Sequence, residues 1–139
     1  HRDPAKAVPS YASFVRSLFP ADVADRMGRH KIGAEIHNHL LTGMKQAVAA
    51  REKLGPDRFL DVHHKDFVTD YMGVLERVYA FMEIDLTPEM RGAFKAWHAK
   101  NLEGAHGAHR YTAEEFGLDV QSIRRDYAFY IDRFNVACG

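Results

Sequence analysis

Arg58-Phe59-Leu60-Asp61-Val62-His63 is the one run in this chain that reads as a β-strand; the other patterned segments read as helices. A strand with no neighbour leaves backbone N–H and C=O groups without partners, and that is costly once it is buried. The run therefore implies partner strands encoded elsewhere. The expected fold class is α/β, mostly helical here, with one clear strand and a main sheet encoded largely upstream. All 139 residues are then expected to form the C-terminal portion of a single domain.

The helices follow from apolar spacing and end signals. Residues 4–18 place Val8, Tyr11, Ala12, Val15 and Leu18 on a stripe, with Pro9 expected to bend or interrupt it. Phe19-Pro20-Ala21-Asp22 reads as a turn. Residues 31–54 carry Ile32, Ile36, Leu40, Met44, Val48 and Ala49 on one face, and Gly55-Pro56 stops the run. Further helices are expected at 70–82 and from Thr87-Pro88 to Asn101. Thr112 and Glu115 have capping-box spacing, with Gly117 closing a single turn. Asp119 then caps a last helix carrying Ile123, Tyr127, Tyr130, Ile131 and Phe134.

Lys plus Arg and Asp plus Glu both number 19, which argues against a general nucleic-acid or anionic-membrane surface. No apolar run approaches the ~20 residues of a membrane span. Cys138 is the single cysteine, so no internal disulfide can form, and a reducing, cytoplasmic compartment is expected. The histidines invite a metal reading. His37 and His39, two apart on a helix, point in different directions. His63-His64 and His106/His109 lack a Cys-x-x-Cys or His-Glu-x-x-His frame, so no metal site is expected. Arg124-Arg125-Asp126 reads as a solvated helix face.

The opening decapeptide, His-Arg-Asp-Pro-Ala-Lys-Ala-Val-Pro-Ser, carries the most chemistry. Asp3 is a good N-cap and Pro4 suits the first helical position. Arg2 brings a permanent charge and a donor fork matched to phosphate oxygens, and Ser10 adds a hydroxyl. Together they describe an anion clamp at a helix start.

These residues resemble the sulfotransferase family that uses 3′-phosphoadenosine 5′-phosphosulfate (PAPS), in its bacterial branch. Arg2-Asp3-Pro4 followed by Ser10 is similar to that family's 3′-phosphate motif. Phe59 to Phe67, followed by Val74-Leu75-Glu76-Arg77-Val78-Tyr79-Ala80-Phe81-Met82, resembles its strand and Tyr-Glu-Asp-Leu region. His109-Arg110-Tyr111-Thr112, Phe116-Gly117-Leu118, Tyr130 and Arg133-Phe134 resemble its C-terminal signature.

The resemblance implies a P-loop-like three-layer fold and sulfuryl transfer to a hydroxyl- or amine-bearing small molecule. It implies that Arg2 and Ser10 hold the 3′-phosphate of PAPS or of the product PAP. His64 falls where the family usually has a Tyr against the adenine, and Arg110 is a second phosphate donor by residue type and place. The family's phosphosulfate loop and catalytic His are not in this chain. They are expected in the upstream half of the same protein, and the isolated segment is expected to be inactive. An exposed apolar patch, with a possible homo-oligomer, is expected where that half would pack. A different class stays open: a non-catalytic helical protein-interaction module or a degenerate sulfotransferase relative.

Overall fold

The structure, a computed structural model, describes residues 1–101 and 111–139. In chain order the helices are α1 (Pro4–Ser17), α2 (Ala21–Met27), α3 (Arg29–Leu54), α4 (His64–Thr69), α5 (Tyr71–Phe81), α6 (Pro88–Lys100), α7 (Val120–Asp126) and α8 (Ala128–Phe134). Short 3₁₀ turns lie at Pro56–Arg58 and Glu114–Phe116.

The expected α/β class is not what forms: the described residues contain helices and no strand. Arg58 closes a 3₁₀ turn. Phe59 (φ −134°, ψ 134°) and His63 (φ −84°, ψ 136°) are extended, but the run between them joins no ladder. Alternating residues favour extension; sheet membership also needs a second strand, and none is present among the described residues. The Asp61 carbonyl instead accepts from Arg77 Nη2 on α5 at 2.9 Å.

The chain divides into two compact units, His1–Phe59 with Tyr111–Gly139, and Leu60–Arg110. In the first, Val8 and Ala12 of α1, Ile32 of α3, and Phe116, Ile123 and Tyr130 build the core. The Ile32, Ile36, Leu40, Met44 stripe faces it as the spacing requires. α1 runs through Pro9 without ending, and buries Ala5, Val8, Pro9, Ala12 and Ser13. Its other side leaves Tyr11, Phe14 and Leu18 exposed. So α1 is apolar on more than one face, and the expected stripe of Val8, Tyr11 and Leu18 is split between core and surface.

Close packing explains Gly33. A Cβ built there would overlap the Phe116 carbonyl oxygen and stand 2.9 Å from the Phe116 Cβ. The Phe116 turn ends in Gly117 at φ 62°. The Gly117 N–H donates to Glu114 O at 2.9 Å and the Leu118 N–H to Ala113 O at 3.0 Å, a Schellman closure. The Thr112 hydroxyl accepts from the Glu115 N–H at 3.3 Å, as the capping spacing predicts. The single last helix expected after Asp119 is in fact two, α7 and α8, broken at Tyr127 (φ −100°, ψ 12°). The break lets Ile123, Tyr130 and, past α8, Val136 all reach the core. Residues 19–22, read as a turn, instead lead into α2.

In the second unit, Asp70 caps α5 by accepting from the Gly73 N–H at 2.9 Å, and Thr87 caps α6 through the Met90 N–H at 3.3 Å. Tyr71 stacks on His98 at 4.0 Å, Tyr79 meets Phe94 edge-on at 6.1 Å, and Arg91 pairs with Glu76.

Candidate anion-binding site

The start of α1 is built from its own sequence. Asp3 Oδ1 accepts from the Ala5 N–H at 3.0 Å, and Pro4 occupies the first helical position, where its missing N–H costs nothing. The Asp3 carbonyl takes the N–H groups of Lys6 and Ala7, each at 3.0 Å. A helix start of this kind offers a positive dipole end.

Asp3 is only 3% exposed, so its charge needs a partner. Arg124 of α7 supplies it, with Nη2 2.6 Å from Asp3 Oδ2. Arg124 is therefore a buried carboxylate's counter-ion, not part of the solvated face expected from its sequence. Burial by itself pushes the Asp3 carboxyl up. The Arg124 hydrogen bond, the Ala5 backbone, the Arg124 charge and the Gly139 backbone outweigh it and hold the carboxyl below the usual carboxylate range.

A depressed folded-state pKa gives stability that is fully present above the unfolded pKa and is lost as pH falls through the folded one. Asn keeps the cap but not the charge, so Asp3→Asn isolates the ionic part. Wild type should exceed Asp3→Asn in urea midpoint by a constant margin between about pH 5 and 8, and the margin should shrink in stronger acid. A margin that persists unchanged to about pH 2 would contradict this.

Arg2 is exposed at the mouth of α1, and its guanidinium has no ion pair among the described residues. Its backbone N–H donates to Tyr130 Oη at 3.3 Å. Ser10 is half-buried, at the end of the second turn of α1, about 9 Å along the axis from Pro4. Lys6, one turn before Ser10, bonds the Gly139 carbonyl. His64 is exposed and is the first residue of α4, in the second unit. Arg110, with His106 and His109, lies outside the described residues.

Sequence reasoning missed the residues that hold Arg2 in place. The His1 ring stacks on Phe134 at 4.2 Å, and its Nδ1 is 3.1 Å from Tyr130 Oη. Tyr130 and Phe134 were legible as apolar face positions and as part of the C-terminal signature; nothing in their spacing indicates a hydroxyl turned to the chain's first residues.

His37 packs on Tyr127 with ring centroids 5.9 Å apart, and its Nε2 is 3.3 Å from Asp126 Oδ2. Burial, and then the Asp126 charge, push the Tyr127 hydroxyl up to about 12, so it stays protonated near neutrality. Among the described residues, no group of three or more His, Cys, Asp or Glu is placed to hold a metal ion. No helix among them is long and apolar enough to cross a membrane.

Comparison with known proteins adds to this geometry. Residues 1–88 match the profile of the Sulfotransferase family. The structure is similar to the crystal structure of sulfotransferase STF9 from Mycobacterium avium, with a TM-score of 0.80 and 26% sequence identity. That likeness covers 99% of this chain and 35% of the mycobacterial one, so the chain spans about a third of that protein's length. No curated protein matches the chain.

Proposed function

This chain belongs to the sulfotransferase family, and from that premise we propose that it binds the 3′-phosphate end of PAPS or PAP through Arg2 and Ser10. The observation that carries the reading is the exposed Arg2 guanidinium, free of ion pairs among the described residues, on a helix start fixed by Asp3. A phosphate fits this donor set. The planar fork of Arg2 can take two of its oxygens, Ser10 can donate to a third, and the α1 dipole favours the charge.

When bound, PAPS supplies the activated sulfuryl group. The chain's own part is to bind and orient the nucleotide. Transfer to a hydroxyl or amine acceptor is an activity of the whole sulfotransferase, with charge on the moving group stabilised by positioned donors. His64 belongs to the same reading as a contact to the adenine, since an exposed imidazole can stack or hydrogen-bond. Arg110 belongs to it as a second phosphate donor.

The test is parallel titration of the chain with PAP and with 5′-AMP, which lacks the 3′-phosphate. Tighter binding of PAP supports the reading. Equal affinities argue against it and favour an interaction module, for which the exposed Tyr11, Phe14 and Leu18 stripe of α1 offers a surface.

A further inference from the structure

We infer that Arg124 and Tyr130, on α7 and α8, are positioning residues for Arg2, and that these helices are a working part of the phosphate site. The inference rests on the reading of Arg2 as the 3′-phosphate ligand. Both residues lie beyond the segment 1–88 that matches the family profile.

Backbone with few packing contacts and hydrogen bonds is mobile. An arginine on mobile backbone must be ordered again each time it binds an anion, and that entropy weakens binding. Here the backbone is anchored on every side of Arg2. Before it, the His1 ring lies on Phe134 and its Nδ1 meets Tyr130 Oη at 3.1 Å. At Arg2, the backbone N–H donates to the same Oη at 3.3 Å. After it, Asp3 is tied to Arg124 at 2.6 Å. The side chain alone is exposed and without an ion pair among the described residues.

Asp3 Oδ1 caps α1, and its buried Oδ2 accepts from Arg124 as counter-ion, which fixes the residue after Arg2. A purely structural role leaves the Tyr130 hydroxyl unexplained. The Tyr130 ring is core, but its hydroxyl meets residues 1 and 2. Holding the backbone while leaving the charged head free is how a binding arginine is preorganised.

The variants are Arg124→Ala, Arg124→Lys and Tyr130→Phe. Each is titrated with PAP and with 5′-AMP at a temperature where circular dichroism shows it folded. The readout is the ratio of the two affinities, which general loss of stability does not move. Arg124→Ala and Tyr130→Phe should each lower the preference for PAP on the order of tenfold, the low end of what loss of a ligand's supporting hydrogen bond costs at metal sites. The 5′-AMP affinity should hold. Arg124→Lys, which keeps the charge, should recover part of the loss. Should Arg124→Ala not fold, Tyr130→Phe decides the matter, because it removes only a hydroxyl. A wild type that prefers PAP while Arg124→Ala and Tyr130→Phe keep its full ratio overturns the inference and leaves the phosphate reading standing. A wild type with no preference overturns both.

Discussion

Replacing Phe116 by alanine should destabilise the first unit by about 3–5 kcal/mol. Phe116 is 2% exposed and is among the largest fully buried side chains. It sits at the end of a 3₁₀ turn whose backbone is locked by the Ala113–Leu118 and Glu114–Gly117 hydrogen bonds. Beneath it, Gly33 lets α3 come so close that no Cβ would fit. A turn fixed at both ends cannot settle into the space left by a lost ring, so the cavity stays open and the full cost is felt. The measurement is the urea midpoint by far-ultraviolet circular dichroism. A loss under about 1 kcal/mol would mean that the turn and α3 collapse together, contrary to this packing.

Replacing Arg2 by alanine should weaken PAP binding about 100-fold and leave 5′-AMP nearly unchanged. Hydrogen bonds to charged groups contribute roughly 1.5–3 kcal/mol each, and a guanidinium fork can make two to one phosphate. Arg2 is exposed, so removing its side chain opens no cavity and should leave the urea midpoint within about 0.5 kcal/mol of wild type. Lysine should recover part of the loss, because it keeps the charge but not the planar fork. Parallel calorimetric titrations read both nucleotides. If both affinities fell together, Arg2 would be acting on the whole nucleotide or on the fold, and its assignment to the 3′-phosphate would be wrong.

What was legible in the sequence was local. The Asp3 cap, Pro4, Gly55, Gly117 and the Asp119 cap each depend on neighbours within one turn, and each does what its residue type dictates. The long helix from residue 31 was legible because its apolar stripe repeats over many turns. The strand at 58–63 failed because sheet membership depends on a partner; Arg58 is drawn into a 3₁₀ turn, and Phe59 and His63 are extended. The single last helix failed at Tyr127, where reaching the core from two directions outweighs continuous helical bonding.

The candidate site divides along the same line. Arg2, Ser10 and Asp3 were visible together because they share one helix start. Arg124 and Tyr130 were not, because they approach that start from more than a hundred residues away. An arginine beside Arg125 and Asp126 reads as surface until the Asp3 carboxylate opposite it is seen. A tyrosine on an apolar face reads as core until its hydroxyl is found on the Arg2 backbone.

The most direct measurement of the central claim is the free-energy difference between PAP and 5′-AMP binding to the unmodified chain, by calorimetry at fixed ionic strength. An Arg2–Ser10 clamp on the 3′-phosphate should favour PAP by more than about 100-fold, Ser10 adding to what Arg2 contributes, with the advantage shrinking as salt screens the exposed guanidinium. Equal affinities for the two nucleotides, at low and high salt alike, would contradict it.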